Sequence, residues 1–380
     1  MIQQKIEMVD LKSQYEKIKD RVDSAIAACI QEGSFINGPE VKKFSAGLAN
    51  YLNVKYVIPC ANGTDALQIA MMALDLQPGD EVIVPAFTYV ATAEVLGLLK
   101  LTPVMVDADP DTFNIDIAAL EAAITPKTKA IVPVHLFGQC ANMEAIIPIA
   151  KKNNLFVIED TAQAIGADYI FSDGRRTKAG AIGNIGCTSF FPSKNLGCYG
   201  DGGALYTNDD ALGEKIQMIA NHGQVKKYVH KYIGVNSRLD SIQAAVLNIK
   251  LSHLDEYANA RLQAANYYDE ALAGIPQLKT PIRDPKSTHV FHQYTLQIAE
   301  GHRDSLKKHL EQQGIPAMIY YPVPLNEQEA FQAIGKVSGS LAVTHKLCAS
   351  VLSLPMHTEL DKPQQEYIVE AIKNYFNSQN

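Results

Sequence analysis

The chain has 380 residues, of which 47% are hydrophobic and 20% are charged, and its formal net charge is −7. This composition is typical of a globular protein, and the length predicts one large domain or two modest ones. The acidic balance excludes a typical nucleic-acid-binding protein, because no basic excess is available to neutralise phosphates.

The six cysteines are dispersed along the chain, and none forms a CxxC pair. Neither a metal site nor a disulfide framework is therefore predicted. The amino-terminal stretch MIQQKIEMVDLKSQYEKIKDR lacks the apolar core of a signal peptide, and no run of about 18 apolar residues occurs. We therefore expect a cytoplasmic protein that does not associate with membranes.

Short apolar runs alternate with helical patterns between about residues 55 and 210. The runs with strand character are KYVIPC, DEVIVPA, TPVMVDAD, KAIVPVHLFG, NLFVIEDTAQ, GCTSFFP and GGALYTND. The helical patterns between several of them are TDALQIAMMALDL, TYVATAEVLGLLK and NMEAIIPIAKKNN. This alternation predicts an α/β fold whose large, mostly parallel sheet is covered by helices on both faces. Ligands of such folds bind beyond the carboxyl ends of the strands.

The pattern changes after residue 238. Residues 239–273 contain no Gly or Pro and predict one long helix, or two with a bend. Beyond a Pro-rich segment, HVFHQYTLQI predicts a strand, DSLKKHLEQQG a helix ending at Gly314, PAMIYYPVP an extended segment and KPQQEYIVEAIKNYF a final helix. We predict a large domain over residues 1–265, with an amino-terminal helical arm, and a small α+β domain over residues 266–380.

The first candidate binding residues follow the strand that ends at Cys60. Asn62, Gly63 and Thr64 precede a helix, and the free N–H groups at a helix amino terminus suit a phosphate, here with a hydroxyl beside them. An ordinary helix cap formed by Thr64 explains the same residues.

Two further strand ends carry unusual side chains. Asp160 directly follows a buried apolar run, where a carboxylate is costly unless something cationic pairs with it, and Gln163 lies three residues further on. Phe87 and Tyr89 follow another strand. Capping of the next turn by Asp160 and burial of the aromatic side chains in the core are the alternatives to a ligand site.

The stretch SFFPSKNLGCYGDGGA, residues 189–204, places Lys194 in a loop shaped by Pro192 and four glycines. The preceding strand delivers Ser189 to the same sheet edge. A nucleophilic lysine is desolvated or set near other charges, which lowers its pKa from about 10.4. The glycines match neither GxGxxG nor GxxxxGK[ST], so neither nucleotide-binding motif applies.

Together these residues are more specific than any of them alone. A phosphate site, an aromatic side chain, a carboxylate, a serine and a lysine all fall at strand ends of one sheet. Pyridoxal 5′-phosphate (PLP) requires such a set, with a lysine for the Schiff base, an aspartate for the pyridinium proton and an aromatic ring over the cofactor.

The stretches GTDAL, PAFTYVAT, EDTAQA, SFFPSKNLGCYGDGGA and NSRLD, in this order and spacing, resemble the nucleotide-sugar aminotransferases of the DegT/DnrJ/EryC1/StrS family. The resemblance runs from about residue 8 to the carboxyl terminus. It implies an aspartate-aminotransferase-like (type I PLP) fold with the large and small domains described above. It also implies a homodimer whose active sites lie at the subunit interface.

The resemblance also implies roles for individual residues. Lys194 would form the Schiff base with PLP and move protons, and Asp160 would pair with the pyridine nitrogen. Gln163 would contact the ring hydroxyl and Tyr89 would stack on the ring. The phosphate would be held by Gly63, Thr64, Ser189 and, from the partner subunit, Asn236. The substrate would be contacted by Arg238, Tyr320 and Tyr321.

The implied reaction is transfer of an amino group from glutamate to a ketosugar nucleotide. In dehydrating relatives a histidine replaces the lysine, so Lys194 favours transamination. The substrate implied by FFPSKNLGCYGDGGA, NHGQ and NSRLD is UDP-2-acetamido-2-deoxy-3-oxo-glucuronate, aminated at C3 for bacterial surface polysaccharides. A 4-oxo UDP-sugar or dTDP-3-oxo-6-deoxyhexose substrate, a PLP sugar dehydratase and a non-catalytic regulatory protein stay open as alternatives.

Overall fold

The computed structural model describes residues 5–378 of the chain, and residues 1–4 and 379–380 of the two predicted domains lie outside this range. The α-helices in the described part are α1 (Leu11–Glu32), α2 (Pro39–Leu52), α3 (Gly63–Ala73), α4 (Ala91–Leu98), α5 (Ile117–Ala122), α6 (Met143–Lys152), α7 (Asp210–Ala220), α8 (Ser241–Leu251), α9 (Leu254–Ala271), α10 (Arg303–Gln312), α11 (Ala342–Ser350) and α12 (Lys362–Asn377).

Most strands lie in the first two thirds of the chain. They are β1 (Tyr56–Cys60), β2 (Glu81–Pro85), β3 (Thr102–Val106), β4 (Thr128–Ile131), β5 (Phe156–Asp160), β6 (Asp168–Ile170), β7 (Arg176–Lys178), β8 (Ile185–Ser189), β9 (Gly203–Thr207), β10 (Gln224–Lys226), β11 (Val229–His230), β12 (Leu278–Lys279), β13 (Tyr294–Ile298), β14 (Lys336–Val337) and β15 (Val351–Leu354).

A large sheet of mixed direction organises the fold. Its strand order is β1-β9-β8-β5-β4-β2-β3-β14, and the pairs from β8 to β14 are all parallel. Strand β9 runs antiparallel to both β1 and β8. The mostly parallel sheet predicted from the alternating pattern is confirmed, and the carboxyl ends of β1, β2, β4, β5 and β8 share one edge.

Helix starts follow from side chains that accept the first free N–H groups. Asn62, Asp116, Asn142 and Asp209 each accept a hydrogen bond from the N–H three residues on. Such a cap satisfies a donor that has no partner inside the helix. Asn62 therefore fills the capping role that Thr64 could have served, and Thr64 lies in the first turn of α3.

The helical region after residue 238 forms two helices, α8 and α9, which meet at Ser252 and His253. The bend foreseen for this region is therefore present. The predicted domain boundary between residues 265 and 266 lies inside α9, and the division at that point stays a prediction. Side chains of α9 pack with a second core built on the small sheet β12-β13-β15.

Two predictions for the region after residue 280 need correction. The strand expected over residues 289–298 begins only at Tyr294, because Phe291 adopts a left-handed backbone conformation (φ 45°) that a strand cannot contain. The helix expected to end at Gly314 ends at Gln312, and Gly314 itself has φ 73°. The segment PAMIYYPVP contributes a single bridge, from Met318 to Ser353.

Within residues 5–378, no helix combines the length and the apolar character needed to span a bilayer.

Candidate active site

A cavity of about 820 Å³ opens at the carboxyl edge of the large sheet. All but two of the predicted site residues line it, namely Gly63, Thr64, Tyr89, Asp160, Gln163, Ser189, Lys194, Tyr320 and Tyr321. Strand ends distant in sequence thus meet at the place expected for ligands of parallel sheets.

The loop that carries Lys194 is fixed by its own backbone. The Lys194 N–H donates to the Phe191 carbonyl at 2.8 Å, and the Cys198 N–H donates to the Phe190 carbonyl at 2.8 Å. At Gly197, a Cβ atom would lie 2.3 Å from the carbonyl oxygen of Pro192. This glycine is therefore required by a close approach within the loop.

The amine of Lys194 sits in an environment that disfavours its charge. Burial lowers the pKa of Lys194 to about 8, although the Asp160 carboxylate acts in the opposite direction. The side chain as a whole is half-buried because it faces the cavity. A substantial fraction of this amine is therefore neutral near physiological pH, as nucleophilic attack requires.

The carboxylate of Asp160 is buried without a close cation among the described residues. It accepts hydrogen bonds from the Thr92 hydroxyl at 3.0 Å and from the Ala162 N–H at 3.1 Å. Burial raises the pKa of Asp160, against the hydrogen bonds from Ala162 and Thr92 and the charge of Lys194. A cationic ligand group in the cavity would relieve this cost.

The amino terminus of α3 also lines the cavity. Gly63 opens the helix, and a Cβ atom there would lie 2.7 Å from the Cβ of Ser189. The Ser189 oxygen accepts a weak hydrogen bond from the Phe191 N–H at 3.2 Å, so its own proton is free for a ligand. The free N–H groups of α3 and this hydroxyl form a site suited to a phosphate.

Gln163 is held in one orientation by two contacts. Its Oε1 accepts from the Phe137 N–H at 2.7 Å, and its Nε2 donates to the Tyr321 hydroxyl at 3.0 Å. Tyr321 also packs against Tyr89, with ring centroids 6.2 Å apart. Tyr89 is 56% exposed, so a flat ligand can reach it, whereas Phe87 lies in the core.

Asn236 and Arg238 do not line this cavity. Asn236 forms a backbone bridge with Asn221, and Arg238 lines a separate depression of about 890 Å³ together with Lys42 and Lys55. A role for Asn236 across a subunit interface, as the resemblance implies, requires a second copy of the chain.

Several residues of the site were not predicted from the sequence. Thr92 contacts Asp160, and its place in the motif PAFTYVAT was an available signal. Thr88 lines the cavity with a buried hydroxyl that has no partner among the described residues. His292 and Gln293 reach the cavity from the segment before β13, and no local pattern in the sequence shows this.

The sequence model of the DegT/DnrJ/EryC1/StrS aminotransferase family matches residues 16–373 of the chain. The chain belongs to this family. The predicted family, fold class and enzyme class are confirmed, and the chain is an aminotransferase.

Curated relatives match along nearly their whole length. The chain is 48% identical to UDP-2-acetamido-2-deoxy-3-oxo-D-glucuronate aminotransferase of Pseudomonas aeruginosa, across 97% of this chain and 100% of the relative. It is 46% identical to a protein of Geobacillus stearothermophilus named pleiotropic regulatory protein, across 98% of each chain.

Solved structures of family members have the same fold. A DegT DnrJ EryC1 StrS aminotransferase from Brucella abortus superposes with a TM-score of 0.93 at 42% identity, over 98% of this chain and 99% of the other. NtdA from Bacillus subtilis, solved with bound pyridoxamine phosphate (PMP), superposes with a TM-score of 0.87 at 31% identity, over 95% and 82%.

The residues of this aminotransferase fit the PLP-type cofactor on which its family depends. The cavity volume lies within the range of about 300–1,000 Å³ common for cofactor sites. Lys194 supplies the amine, buried Asp160 has no ion-pair partner among residues 5–378, and the start of α3 supplies donors for a phosphate. The unpartnered hydroxyl of Thr88 adds a further polar group for a ligand.

Proposed function

We propose that this chain binds PLP on Lys194 and transfers an amino group from glutamate to the keto group of a nucleotide sugar. The observation that carries the proposal is the Lys194 amine, whose pKa is lowered to about 8, in one cavity with the buried Asp160 carboxylate. PLP, when bound, supplies an electron sink for the carbon that gains or loses the amino group.

Lys194 would bind the cofactor covalently and then move a proton to or from the reacting carbon. Its lowered pKa suits both tasks, because a general base works best with a pKa near the operating pH. Asp160 would hold a proton on the pyridine nitrogen, and the hydrogen bonds from Thr92 and Ala162 keep the carboxylate in place for this.

The remaining cavity residues would bind and orient the cofactor. Gly63 and Thr64 would bind the phosphate with the α3 amino terminus, together with the Ser189 hydroxyl. Tyr89 would cover the ring. Gln163 would use the second hydrogen of its Nε2 for the ring hydroxyl, since Oε1 is engaged by Phe137 and the first hydrogen by Tyr321.

We propose a homodimer in which Asn236 of the partner subunit completes the phosphate site. Two observations support this assembly. Asn236 lies outside the cavity of its own chain, and the nearby segment 224–233 exposes apolar side chains, including Tyr228 at 82% and Ile233 at 87%. Exposed apolar groups of this kind mark protein interaction surfaces.

A subunit-mixing experiment tests the shared site. Lys194→Ala and Asn236→Asp homodimers should each be nearly inactive, because the first lacks the amine and the second would place a carboxylate against the cofactor phosphate. Their mixture after subunit exchange should recover about a quarter of wild-type activity, because half of the dimers are hybrids with one intact site. A mixture as inactive as its parents contradicts a shared site.

The substrate that we propose is UDP-2-acetamido-2-deoxy-3-oxo-glucuronate, aminated at C3 in bacterial surface polysaccharide synthesis. The support is the 48% identity to the Pseudomonas enzyme of that name. Tyr320 and Tyr321 line the cavity and would contact the sugar, and Arg238 would contact substrate across the dimer interface.

Covalent binding of PLP tests the cofactor proposal directly. After borohydride reduction of the PLP-loaded protein, peptide mass spectrometry should find the cofactor on Lys194 and on no other lysine. Glutamate should remove the visible absorbance before reduction. Absence of the adduct, or an unchanged yellow band in Lys194→Ala, would refute the assignment.

The substrate test is mass spectrometry of products from a panel of 3-oxo and 4-oxo UDP- and dTDP-sugars. The proposal is supported if the 3-oxo-glucuronate is aminated with the highest kcat/KM of the panel. If another sugar has a higher kcat/KM, that sugar replaces the 3-oxo-glucuronate as the proposed substrate. The regulatory alternative is favoured by the name of the Geobacillus relative. This regulatory alternative is supported if PLP binds but glutamate and other amino acids leave the visible absorbance unchanged.

A further inference from the structure

Glu159 is a fully buried carboxylate beside Asp160 that does not line the cavity. Adjacent residues of a strand point to opposite faces, so Glu159 faces away from its neighbour. Its oxygens accept four hydrogen bonds, from His135 Nε2 at 2.9 Å and the N–H groups of Gly180 at 2.8 Å, Ile182 at 2.8 Å and Gly183 at 2.5 Å.

His135 is equally buried and held on both sides of its ring. Its Nδ1 accepts a hydrogen bond from the Ala141 N–H at 2.9 Å, so the ring proton lies on Nε2 and is donated to Glu159. The backbone N–H of His135 donates to the Asp160 carbonyl at 3.0 Å, and the Asp160 N–H donates to the Pro133 carbonyl at 2.9 Å. The ends of β4 and β5 are thereby fastened together.

Three segments that carry cavity residues or precede them in the chain meet at Glu159. The first is the end of β5, which carries Asp160. The second is residues 133–141, where the Phe137 N–H holds Gln163 at 2.7 Å. The third is residues 180–183, which lead directly into β8 and Ser189. One buried carboxylate therefore links the backbone positions of all three.

We propose that Glu159 and His135 form a positioning pair that fixes the relative placement of Asp160, Gln163 and Ser189. Through these residues the pair sets the affinity for the cofactor and the pH at which the visible absorbance of the bound cofactor changes. The inference rests on the proposed function. Loss of the carboxylate would leave four donors without their present acceptor, which makes the contact costly to lose.

The first test replaces Glu159 with Gln, which keeps the size but turns one acceptor oxygen into a donor facing N–H groups. The affinity of the apoprotein for PLP should fall at least about tenfold, and the pH midpoint of the bound cofactor's visible absorbance should shift by about one unit. Unchanged affinity and an unchanged midpoint overturn the proposal.

The control is Glu81→Gln, which alters another buried carboxylate at the opposite edge of the sheet. It should lower thermal stability and leave both cofactor readouts at their wild-type values. If it lowers PLP affinity as much as Glu159→Gln does, the effect is general destabilisation and the proposal fails.

A second pair of variants serves if Glu159→Gln does not fold. His135→Gln can keep a donor near the position of Nε2, whereas His135→Asn can keep only an acceptor near Nδ1. PLP affinity should stay within about threefold of wild type for the Gln variant and fall about tenfold for the Asn variant. Equal affinities overturn the pairing with Glu159. Failure of the wild-type protein to bind PLP refutes the proposed function instead.

Discussion

At the two edges of the large sheet, the pKa values of buried carboxylates are shifted in opposite directions. At the amino edge, burial acts to raise the pKa of Glu81, but hydrogen bonds from Lys336 and Thr125 outweigh it and lower the pKa. At the carboxyl edge, burial raises the pKa of Asp160 despite its contacts with Ala162 and Thr92.

This difference distinguishes a structural carboxylate from one available to a ligand. Glu81 has an ammonium partner, with Lys336 Nζ at 2.7 Å, and so needs nothing further. Asp160 is held by two neutral donors and has no ion-pair partner in the described part of the chain. The carboxyl edge is therefore incomplete without a cationic group, and the amino edge is complete.

The largest expected effect comes from removing the amine at the carboxyl edge. Lys194→Ala should lower kcat by roughly 10²–10⁴-fold or more, because the nucleophile and the proton carrier are lost together. Steady-state assays with glutamate and the preferred ketosugar measure this.

Lys250→Met is the matched control for that experiment. Burial also lowers the pKa of Lys250 to about 8, but its amine donates to the Gly197 carbonyl at 2.9 Å and does not line the cavity. The variant should keep the reducible PLP adduct on Lys194. Loss of that adduct would show that the contact between Lys250 and the Gly197 carbonyl is also required for cofactor attachment.

The second effect separates the two edges directly. Asp160→Asn should lower kcat at least about 10²-fold, because a neutral amide cannot stabilise the protonated pyridine nitrogen. It should also make the cofactor-free protein slightly more stable, by about 1 kcal/mol, since a buried carboxylate without a cation is removed.

Glu81→Gln should show the reverse pattern, with unchanged kcat and about 1–2 kcal/mol lower stability from the broken pair with Lys336. Urea denaturation measures the stability of both variants, and steady-state kinetics measures their kcat. Equal losses of activity in the two variants would contradict the distinction between a structural carboxylate at the amino edge and a ligand-binding carboxylate at the carboxyl edge.

The residues that meet at the carboxyl edge could be predicted from the sequence where the prediction did not require the order of the strands in the sheet. Parallel strands end at one edge, so placing Asp160, Ser189 and Lys194 after strands was enough to bring them together. Gly63 and Thr64 followed from the start of a helix after a strand. The pair Tyr320 and Tyr321 was placed by resemblance alone, since PAMIYYPVP shows no regular pattern of its own.

Other parts of the site depend on contacts that no local pattern encodes. Glu159 faces away from the cavity, and its partners at 135 and 180–183 come from two separate loops. His292 reaches the cavity because Phe291 bends the chain before β13. Asn236 and Arg238 lie elsewhere on the chain, so their roles depend on an assembly with a second copy.

A smaller effect is expected at the phosphate end of the cavity. Ser189→Ala should weaken PLP binding about tenfold, because one hydroxyl donor to the phosphate is lost while the α3 amino terminus remains. Spectroscopic titration of the apoprotein measures the Kd. Thr207→Val, at the far end of β9, changes a hydroxyl bonded within the protein to the Asn184 carbonyl and should leave the Kd unchanged. An unchanged Kd for Ser189→Ala would place the phosphate elsewhere.

The last effect concerns the pH dependence of cofactor attachment. Only the neutral amine attacks PLP, and the pKa of Lys194 is about 8 rather than 10.5. The rate of attachment to the apoprotein should rise about tenfold from pH 7 to 9 and then level off, whereas an exposed lysine of a model peptide continues to gain reactivity to pH 10. Stopped-flow absorbance follows both reactions. If the protein behaves like the peptide, the cavity does not desolvate Lys194, and the electrostatic difference between the two edges reduces to Asp160 alone.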